Sequence, residues 1–90
     1  MNNRTDMNRE SNELLQKLFS EKGIFSCEVA LSGCNRNFGL TWLHRKKRRH
    51  YRTVDELSDF REVILSCLKC HIILEQDPEL TKETFERLRG

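Results

Sequence analysis

The stretch EVILSCLKCHIILE, residues 62–75, joins an apolar run to two cysteines three positions apart, followed at once by a histidine and four residues later by a glutamate. Val63, Ile64 and Leu65 lead into Cys67, and from Leu68 to Gln76 the pattern predicts a helix carrying Cys67 and Cys70 at its N-terminus. On that helix His71 and Glu75 are i and i+4 and share one face. Two chemistries therefore meet in one short segment: soft thiolates first, then an imidazole beside a carboxylate.

A second cysteine pair, Cys27 and Cys34, lies upstream with the spacing C-x6-C, and 32 residues separate it from Cys67. Two clustered pairs far apart in the chain suit a four-thiolate zinc site, because each pair supplies one side of a tetrahedron. The other reading of four cysteines is a disulfide framework, which suits a secreted protein. The polar start MNNRTDMNRES has no apolar block to direct secretion, and zinc is the reading adopted. The x6 loop is longer than the usual finger loop, so a set in which His71 replaces Cys34 stays open.

The chain has 90 residues, 37% of them apolar and 33% charged. One small domain with a thin core is expected, marginal without an added constraint such as the zinc. No segment approaches the ~20 apolar residues that span a bilayer, so a soluble, cytoplasmic protein without membrane contact is expected. The formal charge of +2 conceals a polarity: HRKKRRHYR, residues 44–52, holds six Lys or Arg, leaving ten basic residues against fourteen acidic ones elsewhere. A concentrated basic block in an otherwise acidic chain is the electrostatic footprint of a polyanion, and the plainer alternative is a solvated charged turn. Arg45, Lys46, Lys47, Arg48, Arg49 and Arg52 are the candidate phosphate contacts, with little sequence readout. His50 reads as a phosphate or surface residue.

Residues 1–10 are expected to be disordered, with the domain over 11–90. Leu14, Leu15, Leu18 and Phe19 recur at helical spacing, and Gly23 follows as a stop. Ser32-Gly33 and Asn35-Arg36-Asn37 read as turns in a cysteine-bearing loop, before a strand from Phe38 to about Arg45. In that strand Leu40, Trp42 and His44 share one face and Thr41 and Leu43 the other, with Trp42 read as core. Thr53 and Glu56 match a capping box for a helix over about 54–61. Asp77-Pro78 starts a last helix over about 78–89, with Leu80, Phe85 and Leu88 inward.

A histidine-bearing strand, a connecting stretch and a helix presenting metal-type ligands make the plan of a ββα-metal site. With C-x6-C, GLTWLH, HRKKRR and EVILSCLKCHIILE, the sequence resembles the HNH endonuclease family, particularly its small zinc-stapled members encoded by phages and mobile elements; the resemblance covers about residues 27–76. It implies an α+β fold: a small HNH-like core held by one structural zinc on Cys27, Cys34, Cys67 and Cys70, flanked by N- and C-terminal helices. It implies His44 as general base and His71 with Glu75 as ligands of a second divalent cation, Mg²⁺, Mn²⁺ or Ni²⁺. The family's base-orienting Asn falls near Glu62, a carboxylate able to accept from the imidazole. The Asp or His that usually precedes the base, as a further ligand, is here Leu43.

The function so implied is metal-dependent cleavage of DNA, most naturally double-stranded, from a site short of one ligand; for a phage-encoded chain the place would be the bacterial cytoplasm. Two alternatives share the scaffold: a zinc-stabilised nucleic-acid-binding module without catalysis, and a small phage interaction or inhibitor module with a protein partner.

Overall fold

The computed structural model describes residues 3–31, 33–34 and 36–90, with the backbone alone at Asn3 and Arg4. The fold is α+β, as expected. Helix α1 (Asn3–Glu21) precedes strand β1 (Leu40–His44), a 3-10 turn (Arg48–His50) and the short helix α2 (Val54–Leu57). A second 3-10 turn (Phe60–Glu62) leads into strand β2 (Val63–Cys67), then helices α3 (Leu68–Glu75) and α4 (Pro78–Arg89). The two strands pair antiparallel, Leu40 opposite Cys67 and His44 opposite Val63.

All five residues of β2 are buried, which explains why Val63, Ile64 and Leu65 are apolar in a row rather than alternating. Its free edge is covered as well. Glu28 N–H donates to the Leu65 carbonyl at 2.9 Å, and the Glu28 carboxylate accepts from Leu65 N–H at 2.8 Å. A two-stranded ribbon is marginal in water, and here both faces are packed. On one face Val63, Leu65 and half-buried Trp42 meet Leu15 and Phe19 of α1, with Trp42 edge-on to Phe19 at 4.9 Å. On the other, Leu43 and Ile64 meet Leu74 of α3, Phe85 of α4 and the cysteines. Leu80 and Leu88 close that second core from the side, on the inward face expected of α4.

Helix α1 corrects the disordered tail expected over residues 1–10: it runs from Asn3, while residues 1 and 2 lie outside the described residues. Its first turns have no apolar stripe. Packing of Leu15 and Phe19 supplies the costly nucleus, and extension through polar helix formers is then inexpensive. The exposed Asp6–Arg9 pair (3.5 Å) and buried Ser11, which donates to the Asn8 carbonyl, lie within that extension. The helix ends where expected. Gly23 takes φ +74°, and N–H bonds from Ile24 to Phe19 O and from Gly23 to Ser20 O close a Schellman motif.

The helix expected over 54–61 is shorter. Thr53 caps it as expected, accepting from Glu56 N–H at 3.1 Å. Ser58 then turns its hydroxyl back to the Val54 carbonyl, and Asp59 caps a new 3-10 turn by accepting from Arg61 N–H. Of the two turns read in the cysteine loop, Gly33 (φ +79°) and Arg36 (φ +49°) have left-handed backbones; Ser32 and Asn35 lie outside the described residues. Asp77 caps α4 with Pro78 at its start, also as expected. Among the described residues no helix is long and apolar enough to cross a membrane.

Candidate functional site

Two constellations flank the strand pair. The first is the cysteine cluster. Cys67 ends β2 and is the N-cap of α3, so Cys70 comes round in the first helical turn and donates its N–H to the Cys67 sulfur at 3.4 Å. Cys27 and Cys34 arrive from the loop, where Arg36 N–H donates to the Cys34 sulfur at 3.2 Å. The four sulfurs lie within 4.8 Å of one another, with Cys34 and Cys67 3.8 Å apart. A tetrahedral ion with bonds of ~2.3 Å requires sulfur–sulfur separations of about 3.8 Å, whereas a disulfide requires ~2.05 Å. All four cysteines are free, and Cys34 is close to the other three sulfurs, so the four-thiolate set expected from spacing is the one assembled.

Electrostatics fit a metal centre. Burial pushes the Cys70 thiol up to about 12, so an ion binding there must displace a proton. Burial also opposes ionisation of Cys27, but N–H groups of Ala30, Cys67 and Val29 outweigh it and lower its pKa. The N-terminus of α3 adds positive potential at Cys67. These four residues can hold a metal ion such as zinc.

The second constellation is a cleft of about 970 Å³ between β1, the segment that follows it, α3 and α4. His71 and Glu75 stand on its wall as the helical spacing required, Nε2 to Oε1 at 2.7 Å. That separation is an i, i+4 hydrogen bond on one helical face. On its other nitrogen, His71 Nδ1 lies 2.7 Å from Thr41 Oγ1. Thr41 escaped the sequence reading, although strand alternation had already placed it beside Leu43 on the face that meets α3.

His44 also lines the cleft, but alternation sends its ring to the opposite side of β1 from Thr41. The ring is buried 5.5 Å from Tyr51, and Nε2 donates to the Leu57 carbonyl at 2.9 Å. A carbonyl only accepts, so Nε2 carries the hydrogen and Nδ1 keeps its lone pair. Nδ1 is buried and has no partner among the described residues. Burial is the main cause that lowers the pKa of His44 from 6.5, with Arg48 adding to it against the Leu57 carbonyl and Glu62. The imidazole of His44 is therefore neutral at pH 7.

That shift has a consequence for folding. The unfolded chain takes up a proton as pH falls through about 6.5, whereas folded His44 does not until lower pH, so stability falls from about pH 6.5 downward. Urea unfolding of zinc-saturated protein at about pH 7.5 and 5.5 is expected to show a smaller loss for His44→Gln than for wild type. Equal losses would remove His44 as the cause.

Glu62 takes a different place from the one expected. Its carboxylate accepts from the Tyr51 hydroxyl at 2.9 Å and pairs with Arg45 at 3.4 Å, while the imidazole is oriented by the Leu57 carbonyl instead. Tyr51 is buried, foremost the reason its pKa rises to about 12, and also accepts from Lys46 N–H. Arg45 further donates to the Arg61 carbonyl and stacks on Phe85, which makes it a clamp at the end of β1. Lys46, Lys47 and Arg48 line the cleft, and Lys82 of α4 faces them from the opposite wall. Arg49, His50 and Arg52 are exposed on the same segment. Leu43 is buried in the second core. No family model matches the chain, and no curated protein or solved structure matches it either.

Proposed function

We propose that the protein is an HNH-type endonuclease that cleaves DNA with a two-ligand cation site, on a ββα core stapled by zinc at Cys27, Cys34, Cys67 and Cys70. One observation carries the reading: a single cleft is lined by His44, the His71–Glu75 pair and the cations of Lys46, Lys47 and Arg48. In this reading Lys46 and Lys47 hold backbone phosphates and bring a phosphodiester to the cleft. His44, fixed through Nε2–H on the Leu57 carbonyl, would serve as base through Nδ1, which is buried, so the segment after β1 must open for water to reach it. His71 and Glu75 would hold the cation, and a divalent ion there would supply Lewis-acid stabilisation of phosphoryl charge. Leu43 can donate nothing, so the chain itself would offer such an ion only these two ligands.

Nicking of supercoiled plasmid in Mg²⁺, Mn²⁺ or Ni²⁺ tests the proposal. His44→Ala is expected to lose about 10²–10⁴-fold in rate. If the wild type does no better than this variant in any of the three metals, the nuclease reading is overturned.

One observation favours a second reading, binding without cleavage: Leu43 is 5% exposed, its side chain committed to the core where a further ligand would be needed. Binding that survives His71→Ala and Glu75→Gln, with no cleavage, would support it. Either way, Lys46→Glu with Lys47→Glu is expected to weaken DNA binding and to reduce the log–log salt slope by about 1 per lost phosphate contact. An unchanged slope would exclude these lysines from the interface.

A further inference from the structure

We infer that Thr41 is a positioning residue for a cation at His71 and Glu75, its hydroxyl selecting the imidazole tautomer that frees Nε2 to ligate. The inference rests on the cation reading of that pair given above.

Thr41 Oγ1 has two neighbours: His71 Nδ1 at 2.7 Å and the Ser66 carbonyl oxygen at 3.1 Å. A hydroxyl has one hydrogen to give and lone pairs to receive with. In one arrangement Thr41 donates to Nδ1, and His71 donates from Nε2 to Glu75 at 2.7 Å. This network is closed, every polar atom is satisfied, and no lone pair of the imidazole is available. In the other arrangement the hydroxyl turns to the Ser66 carbonyl and its oxygen accepts from Nδ1–H. The Nε2 lone pair then faces the Glu75 carboxylate, acceptor against acceptor, and either a second proton on the imidazole, giving an ion pair with Glu75, or a bound cation relieves this.

Both arrangements use the same heavy-atom positions; they differ by rotation of one hydroxyl and by the imidazole proton, which leaves Nε2 to solvent as another is taken up at Nδ1. A ligating histidine needs an acceptor on its other nitrogen to hold tautomer and ring plane, and removal of such a partner typically costs 10–100-fold in metal affinity. Thr41 is the hydrogen-bond partner of Nδ1 among the described residues. Ser66 supplies the alternative acceptor because Thr41 and Ser66 are register partners across the two strands. With Leu43 contributing no ligand, orientation of the remaining two carries more of the affinity.

The test uses the zinc-saturated 90-residue chain and Zn²⁺ itself as the second ion, so that metal exchange at the cysteines changes nothing. Calorimetric titration compares wild type, Thr41→Val, Thr41→Ser and His71→Ala, with zinc content and circular dichroism confirming that each is folded. Wild type is expected to bind a second ion that His71→Ala does not. Thr41→Val, of the same shape but without an acceptor, should bind about 10–100-fold more weakly, and Thr41→Ser within a few-fold of wild type. Long-range ¹H–¹⁵N spectra should show His71 pass from the Nε2–H to the Nδ1–H tautomer as the ion binds. Equal affinity in wild type and Thr41→Val, a Thr41→Ser as weak as Thr41→Val, or no tautomer change in wild type would each overturn the role of Thr41 while leaving the cation site. A wild type that binds no second ion would overturn both.

Discussion

Zinc added to the reduced, metal-free chain is expected to fold it, and Cys70→Ser is expected to prevent this. The cluster ties the loop that carries Cys27 and Cys34 to the junction where β2 runs into α3, adding to the Glu28–Leu65 hydrogen bonds that already join them. Cys27, Cys67 and Cys70 are buried members of the second core, so without an ion that core has buried thiols at its centre. A structural zinc in such a site supplies about 10–16 kcal/mol of apparent binding energy near pH 7. A domain of this size is stable by only about 5–13 kcal/mol in total, so loss of the ion exceeds what the rest can offset. Because Cys70 must lose a proton that burial holds up to about 12, affinity is expected to fall as pH falls. Far-UV circular dichroism during chelation, with zinc release followed by a chromogenic indicator, checks the result. A chelated chain with unchanged spectrum and urea midpoint would refute it.

Arg89→Ala is expected to destabilise the zinc-loaded protein by about 3–5 kcal/mol, the usual cost of removing one partner from a buried ion pair. Arg89 and Glu28 meet at 2.8 Å with side chains only 4% and 12% exposed. The guanidinium also donates to the Phe60 carbonyl at 2.8 Å and the Val63 carbonyl at 3.2 Å, and lies 3.8 Å over the Phe60 ring. Its loss leaves the Glu28 carboxylate buried with Leu65 N–H and takes a donor from the Val63 and Phe60 carbonyls, of which Phe60 keeps the Val63 N–H. The same carboxylate covers the outer edge of β2, so the damage extends to the strand that bears Cys67. Arg89→Lys keeps the charge but not the planar fork and should fall between. Urea denaturation with zinc in excess measures each; a loss below about 1 kcal/mol for Arg89→Ala would show that the pair does not hold the fold.

Local rules carried much of the site. Cysteine spacing named the four sulfurs that come together, and helical periodicity put His71 beside Glu75. Strand alternation separated His44 from Leu43, and Thr53 and Asp77 cap the helices they announced. These features depend on a few residues in a row, where 3.6-residue and 2-residue periods fix direction. The start of α1 was not legible, because its polar turns are helical only as an extension of the segment packed through Leu15 and Phe19, further along the helix. Glu62 was placed by analogy beside His44, yet Tyr51 and Arg45 occupy its carboxylate.

By itself the chain's sequence determined which residue types could serve: thiolates for a soft ion, an imidazole and carboxylate for a harder one, and a cationic segment for a polyanion. Only the tertiary structure decided how they are held. It chose the Leu57 carbonyl to orient His44 across 13 positions, Thr41 to meet His71 across 30, and Arg89 to neutralise Glu28 across 61. Such partners are selected by where whole elements dock, and docking is fixed by burial of both faces of the strand pair, which no window of neighbouring residues contains.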